Sequence, residues 1–241
     1  GKLHDIESYH AHSMVFTRFD YSTGDAAGQN MVSRATFIAC EWVNEQRPEM
    51  LHYMLSGNFD TEKKTSSVNL LKTRGKRVTA EITVPREILM KHLRVAPEQI
   101  AYGQQISTLS AILTNSSNNA NHPANALAAL YLATGQDVAN IGESNQCTTY
   151  QRATSKGDFY FSITLPAVIM ATHGGGTALP TQRECLRMLG CEGKGKAVKL
   201  CEIAAALVVA GELSLSGAAR VDKKTRTNEW VDAHERLGRN R

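Results

Sequence analysis

The sequence lacks the cysteine patterns that mark metal sites and disulfide frameworks. Its five cysteines, an odd number among 241 residues, include no Cys-x-x-Cys pair. Neither a zinc site nor a set of disulfides is therefore indicated. We expect reduced, buried cysteines, as in a cytoplasmic protein, and no bound metal.

The chain also lacks a dominant charge and a long apolar run. Its net charge of +4 is too small to indicate a nucleic-acid-binding surface. The longest apolar run, residues 203–211, is too short for a membrane span and is followed by Glu212. We expect no signal peptide and no membrane or nucleic-acid partner. An apolar fraction of 42% is typical of a globular protein with an ordinary core.

The hydrophobic pattern mixes strands and helices. A strand at 15–21, a helix at 31–42 and a second strand at 50–55 predict part of a split αβ sandwich. Residues 221–228 are linker-like, and 229–237 could form a last helix. Further strands are expected at 78–84 and 158–165, and helices at 86–95, 100–113, 123–134, 180–189 and 196–219.

Residues 56–64, SGNFDTEKK, place Lys63 and Lys64 side by side on a loop. A lysine next to a carboxylate can serve as a fixed cation for a developing oxyanion. A solvated charged turn explains the same residues without chemistry. Asp137, after the helix at 123–134, is either a turn residue or a carboxylate that tunes a nearby lysine.

Residues 24–30, GDAAGQN, join a strand to a helix. Small residues at a helix start let backbone N–H groups approach a phosphate, although Asp25 could simply cap the helix. No GxGxxG pattern is present, so a Rossmann fold is not indicated. His122 and Asn125 share one helix face, where capping is the alternative to binding. His234 is either a surface histidine or a general acid.

Seven stretches, taken in order, are similar to the catalytic part of the 3-hydroxy-3-methylglutaryl-CoA (HMG-CoA) reductase family. The resemblance covers about residues 13–220, with a looser match to the end. The stretches are STGDAAGQNM (22–31), SGNFDTEKK (56–64), RGK (74–76), HPANALAALYLATGQD (122–137), HGGGTALP (173–180), CLRMLG (185–190) and AGELSL (210–215).

The resemblance implies an α/β (α+β) fold with two parts. Residues 13–55 would form a partial, ferredoxin-like small domain of the cofactor-binding type. Residues 56–241 would form a helix-rich large domain that carries the substrate and catalytic groups.

The resemblance also implies an activity, the reduction of a CoA thioester by two hydrides from NAD(P)H. Lys63 resembles the lysine that stabilises the oxyanion, and Asp137 the aspartate that controls the protonation of that lysine. His234 would protonate the departing CoA thiolate. The implied cofactor-binding residues are Asp25, Gly28 and Asn30, and the implied substrate-binding residues are Ser56, Asn58, Lys64, His122 and Asn125.

The sequence departs from the family pattern in several ways. We find no ENP-type motif and no TEG-type segment, whose glutamate is a catalytic acid in the family. The first half of the small domain is missing, and Glu62 stands where the family has an aspartate. Residues 115–121 are rich in asparagine where the family has a glycine- and alanine-rich helix.

These departures leave more than one hypothesis open. The chain could be an N-terminally incomplete reductase that acts on an acyl-CoA as a homo-oligomer or with an N-terminal-half subunit. It could instead be a non-redox cyclase, lyase or isomerase of acyl substrates in natural-product biosynthesis, which would need no cofactor. A catalytically inactive binding subunit is the third hypothesis.

Overall fold

The computed structural model of the chain describes residues 1–50 and 52–218. Within them, no helix has both the length and the apolar character needed to cross a bilayer. The strands are β1 (Lys2–Ala11), β2 (Met14–Ser22), β3 (Lys76–Val84), β4 (Thr148–Ala153) and β5 (Phe159–Val168). The helices are α1 (Gln29–Gln46), α2 (Ser67–Lys72), α3 (Arg86–Leu93), α4 (Pro97–Leu113), α5 (Pro123–Thr134), α6 (Ile141–Ser144), α7 (Pro180–Met188) and α8 (Ala197–Ala218), with 3-10 turns at Val138–Asn140 and Gly175–Ala178.

The core forms around β5, the central strand of an antiparallel sheet in the order β3-β5-β4. Alternate residues of β5 point into the core, which is the period expected of a strand with one buried face. Helix α8 packs against β3 and β5, and α5 packs against α8. The predicted mixed α/β class is confirmed. The fully buried side chains include Leu127, Tyr131, Phe159, Phe161, Ile163, Leu165 and Leu200.

Within the described residues, a second sheet consists of the antiparallel hairpin β1–β2. The predicted strand at 15–21 and the helix at 31–42 are confirmed by β2 and α1. The predicted strand at 50–55 is wrong, since residues 50 and 52–55 are irregular. Strand β2 pairs with β1, and residues 52–55 join neither sheet. Tyr53 contacts α1 instead, where its hydroxyl donates to Glu41.

The remaining predicted helices and strands within the described residues are confirmed, with boundaries shifted by a few residues. Strand β4 was not predicted. Its side chains alternate between exposed and more buried positions in the structure, but its sequence, TTYQRA, has no matching alternation of apolar and polar residues. The predicted division between residues 13–55 and 56–241 stays a prediction. The predicted linker and helix at 221–237 lie outside the described residues.

Candidate active site

The centre of the site is an ion pair between Lys63 and Asp137. The Lys63 Nζ lies 2.9 Å from the Asp137 Oδ2, and both side chains remain more than one third exposed, at 39% and 36%. The hydrogen bond from Lys63 lowers the pKa of Asp137, and the same bond raises the pKa of Lys63. Both shifts favour the charged forms, so the pair is ionised at neutral pH.

The end of α5 places Asp137 in this position. Gly135 ends the helix in the left-handed conformation, with φ 72°, where glycine is favoured because it has no Cβ. A Cβ at Gly135 would lie 2.3 Å from the Gly176 carbonyl oxygen, so the glycine also allows the Gly174–Gly176 loop to pack closely. Asp137 then caps the next 3-10 turn by accepting from the Ala139 N–H at 3.1 Å.

The loop that carries Lys63 has an unusual backbone. Asn58, Thr61 and Lys63 all have positive φ, at 67°, 59° and 58°, which costs energy for residues with a side chain. Asp60 holds the loop together, because its carboxylate accepts from the Ser56 hydroxyl at 2.7 Å and from the Glu62 N–H at 2.8 Å. The hydroxyl of the buried Thr61 donates to the Asn69 side chain at 2.7 Å.

A network of charged side chains surrounds the pair. Glu62 lies 3.9 Å from the Lys63 Nζ and 4.0 Å from Arg74. Arg74 also pairs with Glu143, which is fully buried. Burial raises the pKa of Glu143, while Arg74 and the Lys63 backbone N–H oppose that shift. Positive and negative groups therefore alternate from the surface pair into the protein.

Gln29 connects this network to the predicted cofactor segment, and the sequence analysis missed it. Its side-chain amide donates to Glu62 at 2.7 Å and lies 3.1 Å from the Asn140 side-chain oxygen. Gln29 is the first residue of α1, so the start of this helix lies next to the Lys63 loop. Its place between the predicted residues Gly28 and Asn30 is the only sequence signal that could have found it.

The three predicted cofactor residues have different environments. The Asp25 carboxylate accepts from the backbone N–H groups of Gly195 at 2.7 Å and Ala197 at 3.1 Å, at the start of α8. These two bonds lower the pKa of Asp25. Gly28 precedes α1 with φ 76°, in close contact with the Thr23 side chain, and Asn30 is exposed. Their role in cofactor binding stays a prediction.

The predicted substrate residues fall into two groups. Ser56, Asn58 and Lys64 lie on the Lys63 loop, where the Lys64 ammonium donates to the Glu62 carbonyl at 3.0 Å. His122 and Asn125 lie at the start of α5. Among the described residues, no hydrogen bond or ion pair joins this second group to Lys63 or Asp137. The predicted general acid His234 lies outside the described residues.

Two residues of α8 hold His122 in place. The buried Glu212 carboxylate accepts from the backbone N–H groups of Asn121 and His122. A Cβ at Gly211 would lie 1.9 Å from the His122 ring, so only glycine leaves room for the imidazole. In residues 1–50 and 52–218, no cluster of His, Cys, Asp and Glu is arranged to hold a metal ion.

Comparison with known proteins assigns this arrangement to a family. The sequence model of the hydroxymethylglutaryl-coenzyme A reductase family matches residues 1–239. The 3-hydroxy-3-methylglutaryl-coenzyme A reductases of Pyrococcus abyssi and Methanothermobacter thermautotrophicus are 40% and 43% identical, each over 99% of this chain. A reductase of Dictyostelium discoideum is 38% identical over 90% of the chain.

The chain spans 59% of the length of each of the two archaeal relatives and 43% of the Dictyostelium protein. These alignments extend over nearly the whole chain rather than over the Lys63 and Asp137 segments alone. The chain therefore belongs to the HMG-CoA reductase family.

Proposed function

We propose that this chain supplies the lysine and the aspartate of an active site that reduces the thioester of HMG-CoA with NAD(P)H. The observation that carries the proposal is the Lys63 ammonium, held 2.9 Å from the Asp137 carboxylate. The family shared with reductases supports the choice of substrate. The non-redox and inactive-subunit hypotheses remain without an observation of their own.

The chemistry of thioester reduction explains why a charged lysine is needed. Addition of a hydride to the carbonyl carbon moves the C=O electron pair onto oxygen. The C–S bond of the resulting hemithioacetal then breaks, which yields an aldehyde and a thiolate. A second hydride converts the aldehyde into an alkoxide, so oxygen acquires negative charge twice. We propose that Lys63 stabilises this charge both times.

Asp137 keeps Lys63 suited to this role. Its hydrogen bond raises the lysine pKa, so the ammonium group remains charged when the oxyanion forms. The carboxylate also limits the directions in which the long lysine side chain can point, which reduces the entropy lost when substrate binds. The thiolate and the final alkoxide each take up a proton, and we propose His234 as the donor to the thiolate.

The start of α1 fits a nucleotide cofactor. The N-cap residue of α1 is Gly28, which has no side chain to accept from the first N–H groups of the helix. Helix N–H groups that no side chain caps attract a phosphate. We propose that these N–H groups, with Asn30, hold the NAD(P)H phosphates, whereas Asp25 holds the segment against α8. When bound, the nicotinamide supplies the hydrides.

The rest of the site would come from outside these 241 residues. The glutamate that the family uses as an acid has no counterpart in them. We propose that a polypeptide segment of different sequence, such as an N-terminal-half subunit, provides it. Exposed apolar residues on α4, including Tyr102, Ile106 and Leu109, are consistent with an additional contact.

A chimera tests the proposed activity. Residues 1–241 would replace the matching part of the Pyrococcus abyssi reductase, and oxidation of NADPH or NADH would be followed with HMG-CoA present. We expect HMG-CoA-dependent oxidation, and a loss of at least about 100-fold in kcat for Lys63→Met, the scale of one electrostatic stabiliser. Lys91→Met is the control, because it makes the same substitution at an exposed lysine outside the site.

Two results would contradict the proposal. One is a folded chimera that binds HMG-CoA without oxidising either nucleotide. The other is a Lys63→Met chimera with a kcat equal to that of the Lys91→Met control.

A further inference from the structure

We propose that Gly142 and Glu143 are positioning residues, which hold the Lys63 backbone in the conformation that directs its ammonium group at Asp137. The inference rests on the proposed function of Lys63 in thioester reduction and extends it to two residues of α6. Neither residue belongs to the seven stretches that carry the family resemblance.

The conformation of Lys63 requires an external restraint. Its φ of 58° lies in the left-handed region, which an L-residue with a side chain adopts at an energetic cost. A change of this angle would rotate the Cα–Cβ bond and move the ammonium group away from Asp137. The orientation of the Lys63 side chain therefore depends on the contacts that hold its backbone at this φ angle.

Residues 142 and 143 supply that restraint through both peptide groups of Lys63. The Lys63 N–H donates to the Glu143 Oε1 at 3.1 Å. The Lys63 carbonyl packs against Gly142, where a Cβ would lie 2.6 Å from the carbonyl oxygen. The Thr65 hydroxyl donates to the Gly142 carbonyl at 3.0 Å, which holds the chain just after Lys63.

The same short segment also holds the other end of the lysine. Asp137 caps the 3-10 turn Val138–Asn140, and this turn leads directly into α6. One segment therefore contacts the Lys63 ammonium through Asp137 and the Lys63 backbone through Gly142 and Glu143. The distance between the ion-paired groups is set within this unit.

The burial of the Glu143 carboxylate costs folding free energy, so its presence needs a reason other than packing. The residue is fully buried, and its Oε2 has no hydrogen-bond partner. A buried carboxylate with a free oxygen is unfavourable. The compensating contacts are Arg74 and the Lys63 N–H, both of which lie in the proposed site.

The test measures the direction of Lys63 without any activity assay. Lysines of the full chain would be reductively methylated with carbon-13, which preserves their charge, and the pKa of Lys63 would be followed by NMR. Lys63→Arg assigns the signal, and Asp137→Asn gives the pKa without the ion pair. Circular dichroism verifies that each variant is folded.

We expect Gly142→Ala to lower the pKa of Lys63 toward its value in Asp137→Asn. The substitution changes no charge, so this shift reports a change in geometry. A second comparison serves should Gly142→Ala not fold. Glu143→Leu and Glu143→Gln both remove the carboxylate charge, but only Gln keeps an acceptor for the Lys63 N–H. The Lys63 pKa should therefore be lower in Glu143→Leu than in Glu143→Gln. Glu212→Gln, the same change in another buried glutamate that accepts backbone N–H groups, should leave the Lys63 pKa unaltered.

The failures of the two proposals are distinguishable. The positioning inference alone is contradicted by a Lys63 pKa that responds to Asp137→Asn but not to Gly142→Ala, and that is equal in Glu143→Leu and Glu143→Gln. A Lys63 pKa that is the same in wild type and Asp137→Asn contradicts the ion pair, and with it the basis of the proposed function.

Discussion

Replacement of Asp25 by alanine should destabilise the protein, because this carboxylate caps the start of α8. In Asp25→Ala the N–H of buried Ala197 loses its acceptor, which costs about 1–3 kcal/mol. The N–H of exposed Gly195 can bond to water instead and contributes little. We therefore expect a loss of about 2 kcal/mol in unfolding free energy, or roughly 4–8 °C in Tm.

Urea unfolding followed by circular dichroism measures this loss. Asp25→Asn retains an acceptor oxygen and should recover part of the stability. Asp20→Ala, whose carboxylate is 40% exposed and pairs with Arg18 at 3.2 Å, is the matched surface control, with an expected change below about 0.5 kcal/mol.

The stability lost in Asp25→Ala should also depend on pH, and the direction of this dependence follows from the Asp25 pKa. The folded-state pKa of Asp25 lies below its ordinary value of 3.8, so its contribution to stability is present above that value. The contribution is lost as the pH falls through the folded-state pKa. The difference between wild type and Asp25→Ala should therefore shrink in acid. A difference that grows on acidification, or an Asp25→Ala as stable as Asp20→Ala at pH 7, would refute the reasoning.

Two further substitutions test contacts within the site. Gly211→Ala places a methyl group where the His122 ring lies. We expect this change to lower the unfolding free energy by about 1–3 kcal/mol. An unchanged urea midpoint would contradict the contact between Gly211 and His122. Gln29→Ala removes hydrogen bonds to Glu62 and Asn140 and should cost about 1–2 kcal/mol, whereas exposed Asn30→Ala should cost less than about 0.5 kcal/mol. Equal losses for the last two would show that Gln29 does not link α1 to the Lys63 loop.

Elements with strong local signals were predictable from the sequence. Helix α5 has the predicted bounds, because proline favours its first turn and Gly135 its end. Strand β3 was predicted from its alternating apolar and polar residues, and β5 from its aromatic residues. Strands β1 and β2 form a pair in space, and a short apolar run such as 50–55 does not reveal whether a partner strand exists.

The site was only partly predictable, for a similar reason. The family resemblance indicated Lys63 and Asp137, and the structure brings their side chains into contact. Gln29 lies within a matching stretch, but the resemblance assigns it no role, and Gly142 and Glu143 lie outside all seven stretches. The contacts of these three residues with the site join segments that are distant in sequence. Gly142 in particular acts through the absence of a side chain, which a search for reactive residue types does not detect.

Chemical rescue tests most directly whether a positioned ammonium group performs the chemistry. The Lys63→Ala chimera would be assayed for HMG-CoA-dependent nucleotide oxidation with increasing methylammonium or ethylammonium, and with the matching alcohols as neutral controls. We predict that activity rises with the concentration of the ammonium ions and does not respond to the alcohols. A folded Lys63→Ala chimera that retains the full rate without any amine, or that binds HMG-CoA and is not rescued by either ion, would contradict the central claim.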